Sequence, residues 1–184
     1  MRFEIVSLLA FAVGGSVASF IQLPSTYCVR VIPEVINALN SDRIFEHAKN
    51  KVCSTKCNVK ASDYESKARV MGMEVIKKEC NDMGAPELSE EYIKLLDSIY
   101  STALEKCEAK QLGDTNVCDV DDKQGKKIGQ CVKNSMLDIM FDQPKAIWSI
   151  LTTKCEEQYR FFSNEGLWET KFPQYLEAFA AKHC

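Results

Sequence analysis

From Leu88 to Cys107 the apolar positions Leu88, Tyr92, Leu95, Leu96, Ile99, Tyr100, Ala103, Leu104 and Cys107 recur three or four residues apart. Polar residues fill the gaps, which is the pattern of a helix with one buried face. Similar stripes predict further helices. One region, 32–51, opens with Pro33 and Glu34, residues suited to a first turn, and carries Val35, Ile36, Leu39, Ile44, Phe45 and Ala48. The run Asn40-Ser41-Asp42 leaves one long helix or two short ones open.

Ser62-Asp63-Tyr64-Glu65 has the form of a capping box and predicts a helix to about Asn81, stopped by Met83-Gly84-Ala85-Pro86. A polar stretch from Gly113 to Gly125 separates the 88–107 helix from one through Ile128, Cys131, Val132, Met136, Ile139, Met140 and Phe141. Pro144 begins the next, through Ile147, Trp148, Leu151 and Cys155 toward Phe162. After the turn at 163–166, a last helix starts at Leu167 or Pro173 and carries Trp168, Phe172, Tyr175, Leu176 and Phe179. No segment alternates with period two, and no repeat or linker divides the chain. The expected fold is all-α, a bundle of about five to seven helices in one domain, 19–184.

The N-terminus follows a different pattern. Arg2 precedes the apolar run Ile5 to Val13, and Ser16 and Ala18 stand where a signal peptidase reads small residues. Residues 1–18 are expected to be a signal peptide, giving a mature chain that begins at Ser19 and is secreted to the extracellular space. The run is too short for a membrane span, which needs about 20 apolar residues.

Nine cysteines change the picture most: Cys28, Cys53, Cys57, Cys80, Cys107, Cys118, Cys131, Cys155 and Cys184. In an exported chain this density implies disulfides that staple helix to helix, with connectivity left open by the spacing. Cys53 and Cys57, one helical turn apart, are expected to reach different partners. The odd number leaves one cysteine over. Cys28 and Cys184, near the mature ends, are the leading candidates, although Cys184 has the alternative of clamping the last helix. A shielded thiol in a monomer is preferred over a disulfide-linked dimer.

The cysteine spacing also carries a resemblance. Cys28, a long gap and then Cys53-x3-Cys57 resemble the opening of the insect odorant-binding proteins, small secreted helical carriers of hydrophobic molecules. The chain departs from that pattern in having 12 residues between Cys118 and Cys131 where the family has eight, and in the additional Cys80, Cys155 and Cys184.

Charge and candidate chemistry narrow the function. The net charge of −3 and the scattered lysines give no reason to expect a nucleic acid partner. The two histidines, His47 and His183, sit in no nucleophile or metal motif, so no catalytic residue is assigned. Cys53, Cys57, Cys118 and Cys131 have zinc-like spacing, but disulfides compete for them, and the Asp119, Asp121, Asp122 cluster lacks the glycine and terminal glutamate of a calcium loop. No metal and no cofactor is expected.

What remains is an apolar surplus. Met136, Met140, Trp148, Phe161, Phe162, Trp168 and Phe172 exceed what one packing seam accommodates and are the candidate ligand-binding residues. The expected function is a non-enzymatic carrier of a hydrophobic small molecule. The alternative is a secreted interaction module, an effector, inhibitor or signalling factor, presenting those side chains to an extracellular protein. The direction in which Phe161, Phe162 and Trp168 point separates the two.

Overall fold

The computed structural model describes residues 26–38 and 41–184, so the expected signal peptide lies outside the described residues. Among them are nine α-helices and no strand: α1 (Thr26–Ala38), α2 (Ser41–Lys51), α3 (Ala61–Asp82), α4 (Ser89–Glu105), α5 (Asp122–Asn134), α6 (Met136–Phe141), α7 (Pro144–Thr152), α8 (Cys155–Phe162) and α9 (Phe172–His183). No described helix is long and apolar enough to cross a membrane.

The chain is an all-α bundle stapled by disulfides, and α4 is its hub. Its stripe buries Tyr92, Ile93 and Leu95, and it packs against α3, α5, α6 and α7. Around it lies the larger core, with Val31, Leu88, Met136, Ile139 and Ile150. A smaller core gathers Val52, Val59, Leu176 and Phe179 where α2 meets α9.

Several helices differ from their sequence pattern for identifiable reasons. α1 starts seven residues before Pro33, which therefore sits inside the helix instead of in its first turn. The missing Pro33 amide leaves the Val29 carbonyl without its helical donor on an exposed part of the surface. Ser62 lies within the first turn of α3 rather than capping it. The free amides there are taken by another part of the chain: Ala61 donates to the Thr115 carbonyl at 2.7 Å and Ser62 to that of Gly113 at 2.9 Å. At α5 the cap is Asp121, whose carboxylate accepts from the amides of Lys123 and Gln124.

The helix expected from Pro144 to Phe162 is two helices. Thr153 is extended and Lys154 adopts φ 49°, ψ 40°, left-handed without being glycine. Gln158, fully buried, holds this break: its amide donates to the carbonyls of Ile150 and Thr153, and its oxygen accepts from the Tyr92 hydroxyl.

Four disulfides join Cys28 to Cys155, Cys53 to Cys118, Cys57 to Cys184 and Cys107 to Cys131. Cys53 and Cys57 do reach different partners, and Cys184 clamps the end of α9. The unpaired cysteine is Cys80, buried in α3, and not Cys28 or Cys184. Closeness to a terminus was the wrong criterion: both terminal cysteines meet a partner, whereas Cys80 faces the apolar interior.

Candidate functional site

On α3 and at its C-terminal cap, Gly72, Val75, Ile76, Glu79, Cys80 and Met83 recur at helical spacing and face Tyr92 and Leu96 of α4. The third wall is the chain reversal after α8. Phe161 and Phe162 end that helix, a single π-helical turn at Leu167–Lys171 carries Trp168, and Phe172 and Tyr175 begin α9. Between these walls is a cavity of about 290 Å³ that opens to the surface.

Gly72 helps to make the room. A Cβ there would lie 2.9 Å from Leu96 Cδ2, so any other residue would drive Leu96 toward the space. The aromatic wall is fixed by its own contacts. Phe161 and Phe162 meet edge to face at 5.2 Å, Tyr92 and Phe162 lie 5.7 Å apart, and Trp168 packs on Phe172 at 6.2 Å. The indole N–H of Trp168 donates to the Phe162 carbonyl at 3.1 Å, and Arg43 of α2 lies 5.7 Å over the indole ring. Such anchoring orients large side chains that would otherwise collapse into the space.

One edge of the cavity is charged. Glu79 is only 6% exposed, and its carboxylate accepts from Lys171 Nζ at 2.8 Å, from the Tyr175 hydroxyl, and from Lys78 Nζ at 3.3 Å. Asp82 completes the group, 2.7 Å from Lys78 Nζ and 3.5 Å from Lys171 Nζ. Burial works to raise the Glu79 pKa, but the hydrogen bonds from Lys171 and Tyr175 outweigh it and hold the carboxyl below its ordinary value. The same bond to Glu79 raises Lys171. Burial pushes the Cys80 thiol up, partly offset by the Ser89 hydroxyl, so it stays protonated and unreactive.

The chain matches no family model, no curated protein and no solved structure. Its own geometry therefore carries the assignment.

Of the seven candidate ligand-binding residues, the cavity brings together Phe161, Phe162, Trp168 and Phe172. The other three lie elsewhere. Met136 is buried in the larger core with Met140 packed against it, and the pair adjoin a void of only about 10 Å³. Trp148 projects from α7 and is 61% exposed. Sequence reasoning missed Gly72, Glu79, Leu96 and Tyr175; the signal for Tyr175 and Gly72 was their place on the inner faces of α9 and α3.

A second apolar recess of about 250 Å³ lies among Phe45, Tyr100, Leu104, Leu112, Val117 and Ile128. Neither histidine lines either space. The Nε2 of His47 is buried without a hydrogen-bond partner, 3.7 Å from Glu169, and His183 packs on Phe179. No group of three or more metal-ligating side chains occurs among the described residues.

Proposed function

We propose that this protein is a secreted, non-enzymatic carrier that holds a hydrophobic small molecule between α3, α4 and the 161–175 reversal. The observation that carries this reading is the inward orientation of Phe161, Phe162, Trp168 and Phe172 around about 290 Å³ of space. That volume stands close to the lower end of small-molecule sites, about 300–1,000 Å³. The π-helical turn in the wall adds support, because such turns are rare and concentrate at functional positions. Disulfides on either side of the reversal, at Cys155 and Cys184, favour a cavity that survives without its ligand.

The test uses Trp168 as reporter. Trp148→Phe removes the other tryptophan, which does not touch the cavity. Titration with the small neutral probe 1-aminonaphthalene should quench the remaining emission saturably. Leu96→Phe or Val75→Phe, which fill the space without adding a tryptophan, should abolish saturable displacement of the probe by apolar competitors. A probe that does not bind the folded protein, or binds equally after filling, would overturn the carrier reading. Secretion is tested by N-terminal sequencing of extracellular material, with Ser19 expected and Met1 contradicting it.

The second reading, an interaction module, has one observation in its favour. Leu137 and Phe141 lie one turn apart on α6, exposed to 59% and 79%, and Trp148 stands exposed on α7. Changing all three to serine should leave probe binding intact if the carrier reading holds.

A further inference from the structure

We propose that the cavity selects an uncharged ligand, a hydrocarbon or a singly oxygenated alcohol or ketone of about a dozen non-hydrogen atoms, and rejects fatty acids and amines of the same length. This inference rests on the carrier reading and specifies its ligand. The size follows from volume, since a cavity of about 150 Å³ accommodates benzene, so about 290 Å³ takes roughly twice as many heavy atoms.

Rejection of charge follows from the edge of the cavity. Lys78, Glu79, Asp82 and Lys171 are two cations and two anions, and each of the four opposite-charge pairs among them is in contact; Glu79 is the member of the group that lines the cavity, with the other three set behind it. The Tyr175 hydroxyl donates to Glu79, and Lys78 Nζ lies 5.9 Å from the centre of the Tyr175 ring. The group is thus electrically balanced, and Glu79, its nearly buried member, already accepts three hydrogen bonds. The rest of the lining is almost wholly apolar.

An anionic head entering here would have to take Lys171 from Glu79, leaving a nearly buried carboxylate stripped of its strongest cation. A cationic head would have to take Glu79 from Lys171 and compete with a bond already made at 2.8 Å. In the first case the nearly buried Glu79 loses a cation, and in the second the incoming cation is desolvated for an acceptor that two lysines already share, so neither exchange repays the water stripped from the incoming head. A hydroxyl or carbonyl brings no such conflict. Its smaller desolvation cost is offset by burial of the chain against Phe161, Phe162 and Trp168.

The experiment compares 1-decanol, decanoate and decylammonium at neutral pH as competitors of 1-aminonaphthalene, a neutral fluorescent probe small enough for the cavity, using the disulfide-intact protein. Decanol should displace the probe at a concentration at least tenfold below that needed for either charged compound. If decanoate or decylammonium competes as well as decanol while the probe still binds, the selectivity is wrong and the carrier reading stands. Failure of the probe itself to bind removes both.

Glu79→Gln supplies a second readout. Freed from its carboxylate, Lys171 becomes available to an anionic head, so the preference for decanol over decanoate should fall at least tenfold. The preference for decanol over decylammonium should not fall. An unchanged decanol-to-decanoate ratio in folded Glu79→Gln would overturn the role given to the charged edge.

Discussion

Glu79→Gln also probes what the buried carboxylate contributes to stability. Glutamine keeps the shape and one acceptor but removes the charge that Lys171, Tyr175 and Lys78 address. Hydrogen bonds to a charged group contribute about 1.5–3 kcal/mol each at most. The larger loss of about 3–5 kcal/mol, seen when a buried ion is stranded, does not apply, because Lys171 is 41% exposed and retains Asp82 at 3.5 Å. Removing the carboxylate also removes its own burial cost, so the expected net loss near neutral pH is about 1–2 kcal/mol. The sign with pH follows from the depressed pKa. The contribution is fully present above the ordinary glutamate value of 4.5 and is lost as pH falls below it through the folded-state value. Urea unfolding of both proteins, followed by far-ultraviolet circular dichroism from about pH 7 down to about pH 3, reads this directly. The two stabilities should converge in acid. Equal stability at neutral pH, or a gap that stays constant into acid, would refute the reasoning.

Replacing Cys57 and Cys184 together by serine should cost about 4 kcal/mol, since the shortest path between them through the remaining bridges, by way of Cys28 and Cys155, leaves an unfolded-state loop of roughly 60 residues. Removing Cys107 and Cys131, only 24 residues apart, should cost about 1 kcal/mol less, and denaturant midpoints in the reverse order would contradict the entropic account. Intact mass should show eight hydrogens fewer than the reduced chain, as four bridges require, with Cys80 alkylated only in denaturant. Labelling of the native protein at a comparable rate would show that Cys80 is accessible. Lys154→Gly should stabilise by about 0.5–1 kcal/mol by relieving a left-handed backbone, and a lower thermal midpoint would count against that strain.

The fold was legible wherever a helix buries one clean stripe. The 88–107 pattern returns as α4 with the preceding turn at Pro86–Leu88, and the surplus of Phe161, Phe162, Trp168 and Phe172 returns as a cavity wall. Breaks imposed by distant partners were not legible. Nothing between Ile150 and Gln158 is glycine or proline, and the chain turns there because Gln158 caps α7 while Cys155 is tied to Cys28. The start of α3 is set likewise by carbonyls at Gly113 and Thr115, more than fifty residues away. Glu79 escaped notice because a glutamate within a long helix reads as a solvated face, and the lysine that makes its burial tolerable is Lys171, 92 positions later. Met136 and Met140 have the adaptability of pocket residues, but methionine fills core gaps equally well, and here it does.

The order of the cysteines along the chain bears on its survival under proteolysis. The loop closed by Cys28 and Cys155 overlaps the one closed by Cys57 and Cys184, so every peptide bond from residue 28 to residue 184 lies inside at least one closed ring. A single proteolytic cut anywhere in that stretch opens a ring without releasing a fragment. The two new ends stay covalently joined, and the nicked molecule keeps its mass, apart from one added water, until it is reduced. Loss of material then demands a second cut, and the uncrosslinked 58–106 stretch is the longest piece that two cuts could free. That piece holds α3 and α4, which are two of the three walls of the cavity, so degradation of this kind would empty the site while leaving the other helices tied together.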